Sequence, residues 1–174
     1  MRIGGKSQMV KSHFNYIGID PGKSGGITRI YKGYIESFKC PDSAEGMSSL
    51  FKNMLQFGDV KIPLKNTKLV MERVWARPSN STRSAFAYGV NYGQWLGIFA
   101  SYGIQINTIL PTEWIRYYNC DKKLEYNERK RWLKQKAQVI LTNYRAHCWK
   151  GVATLDLADS ILIAHYGKKK YFNK

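Results

Sequence analysis

Asn15-Tyr16-Ile17-Gly18-Ile19-Asp20-Pro21-Gly22-Lys23-Ser24-Gly25-Gly26-Ile27-Thr28-Arg29-Ile30-Tyr31 is an apolar run, a glycine-rich turn and a second apolar run. Asn15 to Asp20 predicts a buried strand that stops at Pro21-Gly22. Gly25-Gly26 admits a tight turn, and the β-branched alternation from Ile27 to Tyr31 predicts a returning strand. Lys32-Gly33 gives a second turn and Tyr34-Ile35-Glu36-Ser37-Phe38 a third strand, so the chain opens as an antiparallel meander. Pro41-Asp42-Ser43 resembles a helix entry, with Met47, Leu50, Phe51, Met54 and Leu55 following at helical spacing. Residues 58–68 are expected to be a linker, and Lys68 to Glu72 a short buried strand. Residues 84–102 carry the longest helical pattern, and Ile104 to Leu110 alternates as a strand ended by Pro111. Thr112 is expected to cap a short helix, residues 119–127 to form a polar loop, Glu128 to Tyr144 a basic helix, and Thr154 to Tyr166 a final helix. The sum is an α/β domain, with a mixed five-stranded sheet whose first three strands are antiparallel, flanked by helices. The expected organisation is a loose arm over 1–14, one domain over 15–167 and a basic tail over 168–174.

Hydrophobic residues make up 44% of the 174 and charged residues 23%, ordinary values for a globular chain. The charge balance is not ordinary. Twenty-eight Lys and Arg face 12 Asp and Glu, a formal net charge of +16. The basic residues run along the whole length, which points to a polyanionic partner, nucleic acid above all. No basic amphipathic helix, anchor or apolar run of spanning length is present, so no membrane partner is expected. Cys40, Cys120 and Cys148 are far apart and show no zinc-ligand spacing. A soluble cytoplasmic protein fits these features.

Against this basic background, four acids stand in apolar sequence: Asp20, Glu72 after Leu69-Val70-Met71, and Asp156 and Asp159 in Leu155-Asp156-Leu157-Ala158-Asp159-Ser160-Ile161. A carboxylate there costs several kcal/mol unless something compensates it. The compensator suited to converging acids is a pair of hard divalent cations with oxygen ligands. Asp20 and Glu72 end strands expected to be neighbours, about 5 Å apart, and Asp156 and Asp159 are three apart on one helix. Each has a plainer reading alone: Asp20 as a turn acid, Asp156 as a helix N-cap. Together, in a basic chain, they read as a metal-dependent nuclease.

The same residues carry a family resemblance. The Ile19-Asp20-Pro21-Gly22 turn, the strand end at Glu72 and Asp156-Leu157-Ala158-Asp159 are similar, in order and spacing, to the four metal-binding acids of the RuvC family of Holliday-junction resolvases, with its divergent phage members in particular. The basic stretch Lys136-Ala137-Gln138-Val139 also matches. The resemblance covers roughly residues 15 to 166. It implies an RNase H-like fold and a structure-specific DNA endonuclease that cuts four-way junctions by paired nicks. It further implies Mg²⁺, two ions per site with Mn²⁺ able to substitute, held by Asp20, Glu72, Asp156 and Asp159, with Lys136 assisting catalysis. It also implies a homodimer acting on branched DNA. Segments 58–68 and 119–127 and the stretch after Glu72 have no counterpart in the family pattern, which leaves another RNase H-like nuclease, for flaps, other branches or hybrids, as the alternative. A DNA-binding module without catalysis explains the charge but not the four acids.

Trp75 lies three residues after Glu72, where bacterial relatives place an aromatic that inserts at the junction. Between Arg73 and Arg77, it suits stacking on an unpaired base, worth about 1–3 kcal/mol; the alternative is a place in the core. Arg116, Lys122, Lys123, Arg129, Lys130, Arg131, Lys134 and Lys136 cluster on and before one helix and suit phosphate contacts. The stripe Tyr88, Tyr92, Trp95, Leu96 and Phe99 is expected to be core, or else a homodimer face. His165 is expected to be structural.

Overall fold

A computed structural model describes residues 13–75, 81–146 and 153–172. Arg77 and Cys148, and most of the expected N-terminal arm, lie outside the described residues. The meander forms as expected: β1 (Asn15–Asp20), β2 (Gly26–Tyr31) and β3 (Tyr34–Lys39) pair antiparallel in sequence. After helix α1 (Ala44–Met54), capped by the Ser43 side chain, the chain does not run as a linker. A hairpin forms from β4 (Gln56–Phe57) and β5 (Val60–Lys61), followed by a 3-10 turn at Leu64–Asn66. Its anchor is Phe57, whose ring packs on Tyr31 and Tyr34 and beneath the Arg29 guanidinium. Gly58, at φ 56°, supplies the positive φ that the two-residue turn needs.

Strand β6 (Thr67–Glu72) then pairs parallel to β1, and β7 (Ile106–Ile109) parallel to β6, joined by the long helix α2 (Thr82–Ser101). The sheet order is β7-β6-β1-β2-β3-β8. The five expected strands are all present, and β8 (Arg145–Ala146), two residues parallel to β3, extends the edge. Helix α3 (Pro111–Tyr117) begins one residue before the expected Thr cap. Pro111 takes the first helical position, where its missing N–H costs nothing, and the Glu113 carboxylate accepts from the Leu110 N–H at 2.9 Å. Helix α4 (Tyr126–Leu141) likewise starts two residues early, because Glu128 reaches back to the Glu125 N–H. Helix α5 (Leu155–Lys170) runs past the expected end at Tyr166, so Lys168–Lys170 of the expected basic tail form its last turn. There they meet the negative end of the helix dipole. No helix among the described residues is long and apolar enough to cross a membrane.

Strand alternation divides the molecule into two cores. Ile17, Ile19, Leu69 and Met71 face α1 and α2, packing on Met47, Phe51, Trp95 and Phe99. The opposite face, including Val70, packs under α3, α4 and α5. Here α5 lies directly on β1, and the contact depends on Gly18: a Cβ at that position would stand 2.1 Å from the backbone nitrogen of Ala164 and 2.5 Å from its Cα. Thr28 on β2 adds a buried hydrogen bond to the Ser160 hydroxyl at 2.8 Å. This close seat fixes where the first turns of α5 meet the strand ends.

Because both atoms facing Gly18 are backbone, Gly18→Ala must push the strand and helix apart. Overpacking of this kind costs about 1–3 kcal/mol or more. For a chain of this size that lowers the melting temperature by roughly 5 °C or more, measurable by thermal denaturation. An unchanged melting temperature would mean that the seat of α5 on β1 is not tight.

Candidate active site

The parity of β1 and β6 places the first two acids. Since Ile17 and Ile19 face α1 and α2, Asp20 faces α5; since Leu69 and Met71 do the same, so does Glu72. Ile19 is level with Met71 in the parallel pair, so Asp20 and Glu72 sit side by side one step further on. The turn after β1 wraps closely behind Asp20. A Cβ on Gly25 would stand 2.0 Å from the Asp20 carbonyl oxygen, and Gly22, at φ 132°, donates its N–H to the Asn91 side chain of α2 at 2.8 Å. The third acid, Asp159, comes down onto this point from the second turn of α5 and is buried. All three line one open pocket of about 340 Å³.

Asp156 does not join them. It pairs with Lys39 at the end of β3, at 2.6 Å, with the carboxylate over a third exposed. Three residues on a helix differ by about 60° in direction and about 4.5 Å in height. Because α5 crosses the sheet above β1 and β2, that offset sends Asp159 to the β1 and β6 ends and Asp156 toward β3. Nor is Asp156 the N-cap: Thr154 holds that place, and Asp156 sits in the first turn, where the helix dipole favours it.

Two groups that sequence reasoning did not assign to the acids complete the site. Trp114, fully buried on α3, donates its Nε1–H to a Glu72 carboxylate oxygen at 2.7 Å. Its only signal in the sequence was a tryptophan just inside a proline-started helix. Lys130, on α4, bonds the Oδ2 of Asp159. It was expected only as a phosphate contact, while Lys136, expected to be catalytic, lies six residues further along α4 and does not line the pocket; its ammonium stands over the Trp132 ring at 5.9 Å. The starting point of α4 explains the exchange, since the turn that faces the acids is near its beginning.

The other Asp159 oxygen, Oδ1, is buried and has no hydrogen-bond partner. Asp20 is pushed well above the usual carboxylate range, first by burial, then by the charges of Asp159 and Glu72, with Lys130 opposing. Burial works to lower the Lys130 pKa, but the charge and hydrogen bond of Asp159 and the charge of Asp20 outweigh it, and the net shift is upward. Among the described residues no three His, Cys, Asp or Glu stand arranged as metal ligands, and the ammonium of Lys130 is paired with Asp159. The donor set nonetheless fits a hard divalent ion: three carboxylates crowded into one pocket, with one Asp159 oxygen buried and without a hydrogen-bond partner.

Around the acids the rim is aromatic and basic. Trp75 is 47% exposed and so is not core; with Arg73, Tyr88, Tyr126 and Arg129 it lines the pocket. Arg116, Lys122, Lys123 and Arg131 are exposed, and Lys134 is half-buried, all outside it. His165 takes the structural place expected for it, bonded to the Tyr118 hydroxyl at 2.9 Å, and burial and nearby lysines lower its pKa to about 4.

No protein-family profile matches the chain, and no curated protein matches it in sequence. Solved structures do match in fold. The chain superposes on Thermus thermophilus RuvC in complex with Holliday junction substrate with a TM-score of 0.54 at 15% identity, covering 90% of this chain and 97% of that one. A second Thermus thermophilus RuvC structure gives 0.52 at 16% identity, over 90% and 96%. The fold is the RNase H-like α/β arrangement expected from the sequence.

The raised Asp20 pKa fixes the sign of a pH effect. The folded state holds the Asp20 proton more tightly than the unfolded chain does. Ionisation therefore costs nothing below the ordinary value of 3.8 and becomes a penalty as pH rises toward the folded value. Asp20→Asn, free of metal, is expected to melt higher than wild type at neutral pH, with the gap closing on acidification toward 3.8. A gap that widens on acidification would contradict the crowding of these acids.

Proposed function

We propose that this protein is a metal-dependent, structure-specific DNA endonuclease that resolves four-way junctions. The observation that carries the reading is the meeting of Asp20, Glu72 and Asp159 in one open pocket, rimmed by arginines and exposed aromatics, on a chain of net charge +16. An acid-lined pocket on a protein this basic has no use for an anionic substrate unless cations mediate. Asp20, Glu72 and Asp159 would hold the ions, Mg²⁺ or Mn²⁺. Two such ions supply an activated water and a stabilised leaving oxygen for phosphodiester hydrolysis. Trp114 fixes the Glu72 carboxylate through its hydrogen bond. Arg73 and Arg129 suit the flanking phosphates. Trp75, Tyr88 and Tyr126, respectively 47%, 44% and 60% exposed, offer stacking faces to bases unpaired where strands exchange.

A homodimer belongs to this reading. Trp95 and Phe99 fill the core, so the stripe expected there splits in two. The opposite face of α2 carries exposed Phe86, Val90 and Leu96 interleaved with Gly89, Gly93 and Gly97, and a Cβ on any of these glycines would meet nothing within 4 Å. This face is apolar and smooth enough to seat a second copy about a two-fold axis. Two active sites so related match the symmetry of a four-way junction and give paired nicks.

The test is a cleavage assay on a labelled four-way junction, a flap and a plain duplex, with and without Mg²⁺. Mg²⁺-dependent paired nicking of the junction is expected. Asp20→Asn, Glu72→Gln and Asp159→Asn should abolish it while leaving junction binding intact, and Asp156→Asn should be milder. Trp75→Ala should slow cleavage about tenfold, the equivalent of about 1.4 kcal/mol, with little change in melting temperature because the ring is exposed. Gly93→Leu should yield monomers by sedimentation and single nicks. Preferential flap cutting would replace the junction reading with that of another branched-DNA nuclease, and Mg²⁺-dependent cleavage by two of the acid variants would refute the site.

A further inference from the structure

We infer that Lys130 is the built-in counter-ion of the acidic pocket: it closes the site in the metal-free protein and competes with a divalent ion for Asp159. The inference rests on the metal reading above and concerns what that reading leaves open, namely how three crowded acids are kept together before an ion arrives. Lys130 shares a face of α4 with Leu133 and Ala137, three and seven residues on, and both are buried under α5. Helix packing therefore aims its side chain at the pocket. Its ammonium bonds Asp159 Oδ2, the lysine side chain being 30% exposed and the carboxylate 10%. That single bond leaves Asp159 Oδ1 without a hydrogen-bond partner, so the ammonium answers this carboxylate only in part.

An ion using both Asp159 oxygens must break the Lys130 bond. The freed ammonium has somewhere to go. It stands on the α4 wall of the pocket with Arg129 and Tyr126, where the next anion to arrive is a substrate phosphate. Loading the ion thus turns a cation consumed inside the site into one that faces the nucleic acid. By linkage, a bound polyanion then favours the ion in return.

Binding of Mn²⁺ (as the chloride) to the full chain, measured by calorimetry without nucleic acid, tests this. The proteins compared are wild type, Lys130→Met, Lys130→Gln and Asp159→Asn. Both Lys130 variants are expected to bind Mn²⁺ about tenfold more tightly than wild type, the equivalent of about 1.4 kcal/mol. They should also melt lower than wild type without metal and regain stability with it, whereas Asp159→Asn should lose binding. If either Lys130 variant is unfolded without metal, refolding at Mn²⁺ concentrations below the wild-type Kd is the same expected result. Equal or weaker affinity in both Lys130 variants, with wild-type binding intact, overturns the inference and leaves the metal reading standing. No Mn²⁺ binding by any of the four proteins refutes the metal reading itself, and the inference with it.

Discussion

Mutual repulsion among Asp20, Glu72 and Asp159 is the constraint around which this molecule is organised. Like charges in a partly buried pocket separate unless the backbone holds them, and once held they bind protons more tightly. Here the holding is done by elements that cannot yield independently: two adjacent parallel strands in fixed register, and a helix seated on one of them through Gly18. Burial first, and then the charges of Asp159 and Glu72, push the Asp20 carboxyl well above its usual range. Among the described residues, the Lys130 bond to Asp159 and the Trp114 hydrogen bond to Glu72 offset part of the repulsion.

From this constraint the division of labour among the helices follows. Helix α5 carries Asp159 and also spans the sheet, so it cannot shift without opening the site. Helices α3 and α4 bring Trp114 and Lys130 inward near their starts while burying Tyr118, Leu133 and Ala137 behind. Helix α2 takes the other face of the sheet with Trp95 and Phe99 and reaches the site only at its margin, through Asn91 on the Gly22 amide and Tyr88 on the pocket wall. Its outward face is left free for another role.

Much of this was legible in the sequence, for physical reasons. The apolar runs of β1 and β6 identified them as buried strands, and their expected adjacency put Asp20 and Glu72 side by side at the strand ends. Gly-rich punctuation marked the meander. What the sequence hid were quantities that depend on how elements cross. Asp156 and Asp159 look equivalent by spacing, but the angle of α5 over the sheet separates them, one toward β1 and the other toward Lys39 on β3. Lys136 lay in the stretch that matches the family, yet the start of α4 at Tyr126 turned Lys130 to the acids instead. The hairpin at Gln56–Lys61 fell largely within the expected linker because its strands are two residues long and its anchor, Phe57, packs on Tyr31 of β2 and Tyr34 of β3.

The central claim is that Asp20, Glu72 and Asp159, without Asp156, form one cation site. Anomalous diffraction from crystals grown with Mn²⁺ tests it most directly. The account predicts a peak bridging these three carboxylates, with the Lys130 ammonium withdrawn from Asp159 and the Lys39–Asp156 pair undisturbed. Lys130 still bonded to Asp159 with no peak among the three acids, or a peak held by Asp156 in place of Asp159, would contradict it.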